Sequence, residues 1–302
     1  MLLSDVTAPV SVADGKAQVE KSGQPVTVFT GIDTHAHVFR CDAKMIENRR
    51  YTPQYNATIA DYLAMLDDNG ISHGVLVQIS FLGTDNSYMA EALEQEPTRL
   101  RGIAVVDPDI TEEALCALNE AGVVGVRLNL IGLTDPDLES AGWQRHFRRL
   151  NGLGWQVEVQ AEAWRLPRLM PPLLVAGLRV VIDHFGRPDD VLGIDDPGFR
   201  YLLAQGRTRR VWVKLSGEYR NNRVKQGEQI AASAAAALLG EFGAEWLLWG
   251  SDWPHTCFEQ PGTTAAARQA LDRWIPSDAD RHAVLVETPR ALFGFAAATA
   301  DP

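Results

Sequence analysis

Three stretches of this sequence place imidazole and carboxylate side chains at the ends of apolar segments. They are Gly31–His37, Val180–His184 and Leu248–His255, and the last carries Asp252 between an apolar run and Pro254. A carboxylate at the end of an apolar strand costs free energy unless it is paired or solvated, and such groups often have a chemical task. We therefore expect the three stretches to meet in one pocket.

The residue types in these stretches suit the activation of a water molecule. Asp252 can take a proton from water as a general base, and His35, His37 and His184 can stabilise a developing oxyanion by hydrogen bonds, with no cofactor required. Alternatively, His35, His37 and Asp252 can bind Zn²⁺, because a catalytic zinc needs about three protein ligands and a water. Each motif alone is weak evidence, and only the coincidence of all three is specific.

Eight short apolar runs, each followed by a longer helical pattern, predict how these residues are positioned. The runs are Val26–Val38, His73–Ser80, Leu100–Val106, Val123–Leu130, Trp155–Ala161, Arg179–Phe185, Val211–Ser216 and Trp246–Gly250. This alternation predicts parallel strands with right-handed crossovers, and eight units predict a single-domain α/β fold, the (β/α)8 or TIM barrel. An open doubly wound sheet is the alternative, but no G-x-G-x-x-G motif follows the first run.

The two ends of the chain are expected to differ from the barrel. Residues 1–25 are small and polar, and we expect them to form a mobile N-terminal tail. The barrel domain is then expected to span residues 26–302, with a helical C-terminal tail over Ser277–Phe293.

The pleat of each strand predicts which polar side chains face the interior of the barrel. In strand order, the inward set is Asp33, His35 and His37; Gln78 and Ser80; Arg127 and Asn129; Glu158 and Gln160; His184; Lys214 and Ser216; and Asp252. Barrel active sites lie at the C-terminal ends of the strands, so we expect these groups to line one cavity. Two further histidines, His146 and His282, fall in helical patterns and are expected at the surface.

The composition limits the classes of function. The formal net charge is −11 over 302 residues, which argues against sequence-independent nucleic-acid binding. No apolar run approaches the ~20 residues of a membrane span. The three cysteines form no C-x-x-C motif, which fits a reducing compartment and predicts a cytoplasmic location. Because an acidic protein repels anions, an anionic substrate would need a local group of arginines.

The motifs resemble those of the amidohydrolase superfamily, and within it the branch of 2-pyrone-4,6-dicarboxylate hydrolases and related lactonases. The similar segments are Ile32–Phe39, Gly125–Asn129, Val181–Pro188, Val213–Gly217, Trp249–His255 and Arg290–Phe295. The resemblance runs from about residue 31 to residue 295, and its most specific parts are H-F-G-R-P at 184–188 and G-S-D-W-P-H at 250–255. It implies a barrel enzyme that opens cyclic esters, often without a metal.

With this resemblance, we expect hydrolysis of a small carboxylated lactone, with Asp252 as the base and the three histidines polarising the carbonyl. Arg127, Arg187 and Arg220 are expected to hold substrate carboxylates through forked hydrogen bonds. The other expected substrate-binding residues are Tyr51, Ser80, Asn129, Gln160, Lys214 and His255.

Two departures from the family pattern bear on the substrate and the metal. The fifth predicted strand ends in Glu158-Val159-Gln160, without the histidine of metal-dependent members and without the tyrosine of the pyrone-dicarboxylate hydrolases. Residues 131–134 lack the arginine expected after the fourth strand. Metal-free chemistry is favoured, and three alternatives stay open: a Zn-dependent amidohydrolase, a sugar-lactone isomerase in which a substrate hydroxyl replaces water, and a non-catalytic binder of an organic acid.

Overall fold

The computed structural model describes residues 29–221, 227–260 and 262–295. The strands are β1 (Ile32–Ala36), β2 (His73–Val77), β3 (Leu100–Ala104), β4 (Val123–Asn129), β5 (Gln156–Gln160), β6 (Val180–Ile182), β7 (Val211–Leu215) and β8 (Leu247–Trp249). The helices are α1 (Ile59–Asp68), α2 (Ser87–Gln95), α3 (Glu112–Glu120), α4 (Ala141–Gly152), α5 (Leu166–Val175), α6 (Pro197–Ala204), α7 (Gly227–Phe242), α8 (Thr264–Trp274), α9 (Asp278–His282) and α10 (Thr288–Leu292). The predicted tail, residues 1–25, lies outside the described residues.

All eight strands form one parallel sheet whose spatial order is the order in the sequence. The edges β1 and β8 are joined through the loop after β8, where the backbone N–H of His37 donates to the carbonyl of Trp253 at 2.9 Å. The helices between the strands complete a nearly closed barrel, so the prediction of a single-domain (β/α)8 barrel is confirmed. Within the three described ranges, no helix is both long enough and apolar enough to cross a membrane.

The interior of the barrel is apolar at one end and polar at the other. Ile32, Val75, Val181 and Leu248 pack together inside the sheet, and Phe293, just after α10, packs against them. A second, larger apolar cluster fills the space between the sheet and the helices. Gln156, at the start of β5, is a buried polar residue near the apolar cluster inside the sheet, whereas the histidines and Asp252 lie toward the C-terminal ends of the strands.

Helix α1 begins with a capping box that fixes its position against β1 and β2. The Thr58 side chain accepts from the Asp61 backbone N–H, and the Asp61 carboxylate accepts from the Thr58 backbone N–H at 3.0 Å. The helix buries Tyr62 against the sheet. A Cβ at Gly74 on β2 would lie 2.1 Å from the Tyr62 hydroxyl oxygen, so only glycine leaves room for that ring.

An irregularity in β1 between Asp33 and Ala36 changes the predicted alternation. The Asp33 carboxylate accepts from Tyr62 of α1 at 3.3 Å and from the Ser251 hydroxyl at 2.6 Å, so it faces the helix layer. The prediction that Asp33 shares a face with His35 and His37 is therefore wrong. Asp33 also accepts from the Ser251 backbone N–H at 2.8 Å and so fixes the loop that carries Asp252.

Two other expectations about polar residues are wrong for similar local reasons. Gln78 follows the last residue of β2, and its side chain donates to the Asp85 carbonyl at 2.5 Å instead of facing the barrel interior. His146 is only 1% exposed, because it lies on the inner face of α4 beside Phe147 and one turn before Leu150.

Candidate active site

Four side chains from three separate parts of the sequence meet at the C-terminal end of the barrel. His35, His184 and Asp252 each offer one possible ligand atom, and these atoms lie within 4.8 Å of one another. The Nε2 atom of His35 is 3.9 Å from Oδ1 of Asp252, and the rings of His35 and His37 are 5.0 Å apart between centroids. The structure thus brings together all four residues of the predicted catalytic set.

Two of these residues lie in loops with a left-handed backbone conformation. His184 follows β6 with φ 51°, and Asp252 follows β8 with φ 60°. His255 and Cys257, in the same loop as Asp252, have φ 62° and 70°. Non-glycine residues rarely adopt such angles, and when they do, they cluster at functional sites. The backbone of these loops therefore marks the same site as the side-chain chemistry.

The carboxylate of Asp252 is fully buried and forms a forked ion pair with Arg220. The Arg220 Nε donates to Oδ2 at 2.5 Å, and a terminal nitrogen donates to Oδ1 at 3.1 Å. Burial alone would raise the pKa of Asp252, but the charge and hydrogen bonds of Arg220 outweigh it and hold this pKa well below its usual value. Gly217 leaves room for the pair, since a Cβ there would lie 2.6 Å from Oδ2.

Tyr219 extends this ion pair to the loop after β8. Its hydroxyl lies 2.8 Å from Oδ2 of Asp252 and 2.9 Å from Nδ1 of His255. Burial, followed by the charge of Asp252, holds the pKa of Tyr219 well above its usual value, so the hydroxyl stays protonated and donates to the carboxylate. His255, predicted to bind substrate, is 5% exposed and contacts Tyr219. Sequence reasoning missed Tyr219, although it is adjacent to Arg220.

The three histidines are neutral, and their hydrogen bonds differ. Burial lowers the pKa of both His37 and His184 to about 3, and burial also lowers that of His35. Nδ1 of His37 lies 2.7 Å from the Val77 carbonyl, which only accepts, so Nδ1 carries the proton and Nε2 is a bare acceptor. His37 is therefore not suited to the predicted role of hydrogen-bond donor to a carbonyl.

A layer of buried charges lies directly below the histidines. Lys214 Nζ is 2.6 Å from Glu158, 3.5 Å from Asp183 and 3.3 Å from Nδ1 of His35. Asp183 also pairs with Arg127 at 3.1 Å. Lys214 is fully buried in this network. It contacts His35 and lines neither of the cavities that open above the catalytic set, so its predicted contact with substrate stays a prediction.

Two adjoining cavities open above the catalytic set. The inner one, about 80 Å³, is lined by the predicted residues His37, Tyr51, Ser80, Arg127, Asn129, Gln160, His184, Arg187 and Arg220. The outer one, about 720 Å³, leads to the surface. Four residues line both cavities and form the neck between them: Arg50, Arg187, Arg220 and Cys257. Asp252 and His35 lie beneath this space with no exposed surface.

The wall of the cavities is held by contacts between loops. Tyr51 donates to Glu259 at 2.6 Å and so ties the loop after β1 to the loop after β8. On the opposite wall, Gln160 accepts from Arg127 at 2.7 Å. Arg50 was not predicted, and it donates to Asn129 at 3.4 Å.

The comparison with known families identifies this arrangement. The profile of the family described as Amidohydrolase matches residues 32–295. The chain belongs to the amidohydrolase family. This confirms the resemblance seen in the sequence, and the protein is accordingly an enzyme.

Similar proteins with names cover most of this amidohydrolase. It is 35% identical over 241 residues to the 2-pyrone-4,6-dicarboxylate hydrolase of Comamonas testosteroni, across 74% of this chain and 76% of the relative. It is 30% identical over 273 residues to the 4-sulfomuconolactone hydrolase of Hydrogenophaga intermedia, across 87% and 88%. A crystal structure of a probable 2-pyrone-4,6-dicarboxylic acid hydrolase from Acinetobacter baumannii, with citric acid bound, matches with a TM-score of 0.85 and 42% identity, across 88% of this chain and 99% of that chain.

The donor atoms of this amidohydrolase fit a divalent cation, and two of the three predicted ligands take part. His35, His184 and Asp252 form the compact group, whereas the sequence predicted His37 in place of His184. The Nε2 atoms of His35 and His184 have no hydrogen-bond partner within the described part of the chain. Two imidazoles and a carboxylate match the ligand types and number of a catalytic zinc site. A cation would nevertheless compete with Arg220 for Asp252.

Proposed function

We propose that this amidohydrolase hydrolyses a small anionic lactone, with Asp252 as the general base. The observation that carries the proposal is the buried Asp252 carboxylate, which Arg220 holds beside two imidazole nitrogens at the base of an arginine-lined neck. Relatives at 35% and 30% identity are named for hydrolysis of a dicarboxylated pyrone and of a sulfonated lactone. Both names support an anionic lactone as the substrate class.

Binding of the substrate first has to free Asp252, because Arg220 and Tyr219 cover its two oxygens. An anionic group in the neck would attract the Arg220 guanidinium through the same forked geometry that Asp252 uses. Arg220 then exchanges one carboxylate partner for another. When the cation leaves, the pKa of Asp252 rises, so the base gains strength only after the substrate is bound.

In the chemical step, the oxygen of a water molecule attacks the lactone carbonyl carbon, and Asp252 takes one proton from that water. The bond between the carbonyl carbon and the ring oxygen then breaks. Protonated Asp252 returns the proton to this ring oxygen and ends the cycle ionised. One water is consumed, one ester bond is cleaved, and the new carboxyl group ionises at neutral pH.

The oxyanion that forms during the attack is stabilised by His35 and His184. Lys214 can donate to Nδ1 of His35 at 3.3 Å, and the Ser216 hydroxyl can donate to Nδ1 of His184 at 2.9 Å. In the tautomers that accept these two bonds, the single imidazole proton is on Nε2 and can be donated to the oxyanion. The opposite tautomers would donate from Nδ1 to the Asp183 carboxylate and to the Ser216 carbonyl, each at 3.3 Å. His37 has the opposite tautomer, and its Nε2 is suited to accept a hydrogen bond from the attacking water.

A zinc-assisted hydrolase is the second candidate, and the unpartnered Nε2 atoms of His35 and His184 support it. His35, His184 and Asp252 would hold the ion, which would polarise the carbonyl and lower the pKa of water. The proposed tautomers distinguish the two candidates, since an Nε2 that carries a proton donates to an oxyanion but cannot bind a metal.

Turnover in ¹⁸O-labelled water tests the proposed function. The panel contains 2-pyrone-4,6-dicarboxylate, 4-sulfomuconolactone and an uncharged γ-lactone. We expect one ¹⁸O atom in the new carboxyl group of the anionic substrates and slow turnover of the uncharged lactone. Conversion to a different lactone without ¹⁸O would instead assign a lactone isomerase. Tight binding of the anionic lactones without turnover would refute catalysis.

A further inference from the structure

The arginines at the mouth of the barrel differ in what they already bind. Arg127 is paired with Asp183 at 3.1 Å, and Arg220 is paired with Asp252. Arg165 is paired with Glu162 at 2.9 Å, and it also pairs with Asp135. These three guanidinium groups therefore have carboxylate partners within the protein.

Arg50 is the exception in this comparison. Among the described residues, its one hydrogen bond is to the neutral amide oxygen of Asn129, at 3.4 Å. Within residues 29–221, 227–260 and 262–295, no carboxylate oxygen lies within ion-pair distance of its guanidinium. Burial lowers the pKa of Arg50, and the like charges of Arg127 and Arg220 lower it further. The carboxylate of Glu162 raises this pKa only slightly, and it is bonded to Arg165 at 2.9 Å.

The position of Arg50 places this uncompensated charge on the path to the catalytic set. Arg50 lines both the inner and the outer cavity, as do Arg187 and Arg220. The loop after β4 makes room for it at Gly132, where a Cβ would lie 3.4 Å from the Arg50 Cδ. A guanidinium in a cavity, beside other cations and a hydrogen-bonding amide, is suited to bind an oxyanion.

We propose that Arg50 and Asn129 form a subsite for a second anionic group of the substrate, so that the enzyme selects lactones with two anionic groups. The inference rests on the proposed function, in which the first anionic group engages Arg220. The second group, a carboxylate or a sulfonate, binds the Arg50 guanidinium and the Asn129 amide N–H. The reacting carbonyl is then held between two anchored ends of the same molecule.

Calorimetry with compounds that cannot be hydrolysed tests this subsite independently of turnover. The probes are pyridine-2,4-dicarboxylate, 4-sulfopyridine-2-carboxylate and the monoanion pyridine-2-carboxylate. We expect Arg50→Gln to weaken both dianions by about 10- to 100-fold, as the loss of a charged hydrogen bond predicts, and to leave the monoanion unchanged. A loss for only one dianion would define whether the subsite takes carboxylate or sulfonate.

Two further variants make the result decisive. Arg49→Gln is the matched control, because Arg49 bonds to Thr52 and to the Ile46 carbonyl and lines neither cavity. Asn129→Asp would place a carboxylate beside Arg50, and it should weaken the dianions as Arg50→Gln does. Equal losses for dianions and monoanion, or equal losses in the Arg49 and Arg50 variants, would overturn the subsite. If the Arg50 effect is found but no lactone is hydrolysed, the subsite stands and the proposed function fails.

Discussion

Two layers of charged side chains lie at the same end of this barrel, and they differ in whether their charges are balanced. In the lower layer, Lys214, Glu158 and Asp183 are fully buried and bonded to one another. In the upper layer, Asp252 is balanced by Arg220, whereas Arg50 has no carboxylate partner among the described residues. The layers are adjacent, since His35 contacts Asp183 below and Asp252 above.

The difference indicates separate tasks for the two layers. A buried ion network is weak evidence for stability, but removal of one member leaves an uncompensated charge and is strongly destabilising. The lower layer therefore holds His35 in one orientation. The upper layer keeps charges and imidazole nitrogens that a bound molecule would satisfy. Changes in the upper layer should reduce catalysis, and changes in the lower layer should reduce stability.

The largest effect on activity is expected for Asp252→Asn. Loss of the general base should reduce kcat for an anionic lactone by about 10²- to 10⁴-fold. The amide keeps an oxygen that can accept from Arg220, and Arg220 lines both cavities, where water can solvate its charge. The thermal unfolding temperature should therefore fall much less than in a variant of the lower layer. Steady-state kinetics and calorimetry measure the two quantities. Near wild-type turnover would exclude Asp252 as the base.

A change in the lower layer should have the opposite pattern of effects, with a large loss of stability. Lys214→Met leaves Glu158 without its partner at 2.6 Å and should lower the free energy of unfolding by about 3 to 5 kcal/mol. Urea denaturation measures this loss. The double variant Lys214→Met/Glu158→Gln should recover much of it, because the remaining buried charges of Asp183 and Arg127 are paired with each other. If Lys214→Met keeps its stability and loses only turnover, the division between the layers is wrong.

The smallest effect on activity is expected for Tyr219→Phe, and it should appear as a shift in the pH dependence of turnover. In the wild type, the low pKa of Asp252 and the pKa of about 3 for His37 and His184 predict constant kcat/KM between about pH 5 and 8. The Tyr219 hydroxyl donates to ionised Asp252 and favours that form. Its removal raises the pKa of Asp252. Because bound substrate also draws Arg220 away from this carboxylate, the shift should appear in the acidic limb of kcat, which reports the groups of the substrate complex.

The control for this shift is Tyr51→Phe, which removes a hydroxyl that binds Glu259 and not Asp252. The acidic limb of this variant should stay at the wild-type pH. An unchanged limb in Tyr219→Phe, or an equal shift in both variants, would contradict the role of Tyr219 in holding the base.

The sequence predicts the parts of this molecule that depend on strand periodicity. Buried parallel strands give short apolar runs, so eight strands and the inward position of Arg127 follow from alternation. The positions that depart from alternation follow from local geometry that the sequence does not reveal. A bulge turns Asp33 outward, and a left-handed turn places Asp252 beyond the end of its strand.

Loop packing accounts for the residues that sequence reasoning missed. Tyr219 and Arg50 are adjacent to predicted residues, yet their contacts depend on loops from β1, β4, β7 and β8 meeting above the barrel. Lys214 has the predicted inward direction and is bonded to Glu158 and Asp183, and it lines neither cavity, so its predicted contact with substrate stays a prediction. Alternation gives the direction of a side chain, whereas its depth depends on where the strand ends.

The central claim is that Asp252, released from Arg220 by the substrate, activates water without a metal. The most direct test is lactone hydrolysis by protein that has been exhaustively chelated and checked for metal content, before and after addition of Zn²⁺. We predict the same kcat/KM in all three states, because Asp252 and the protonated Nε2 atoms suffice. Loss of activity on chelation and its recovery with Zn²⁺ would contradict the account and assign His35, His184 and Asp252 to a zinc ion.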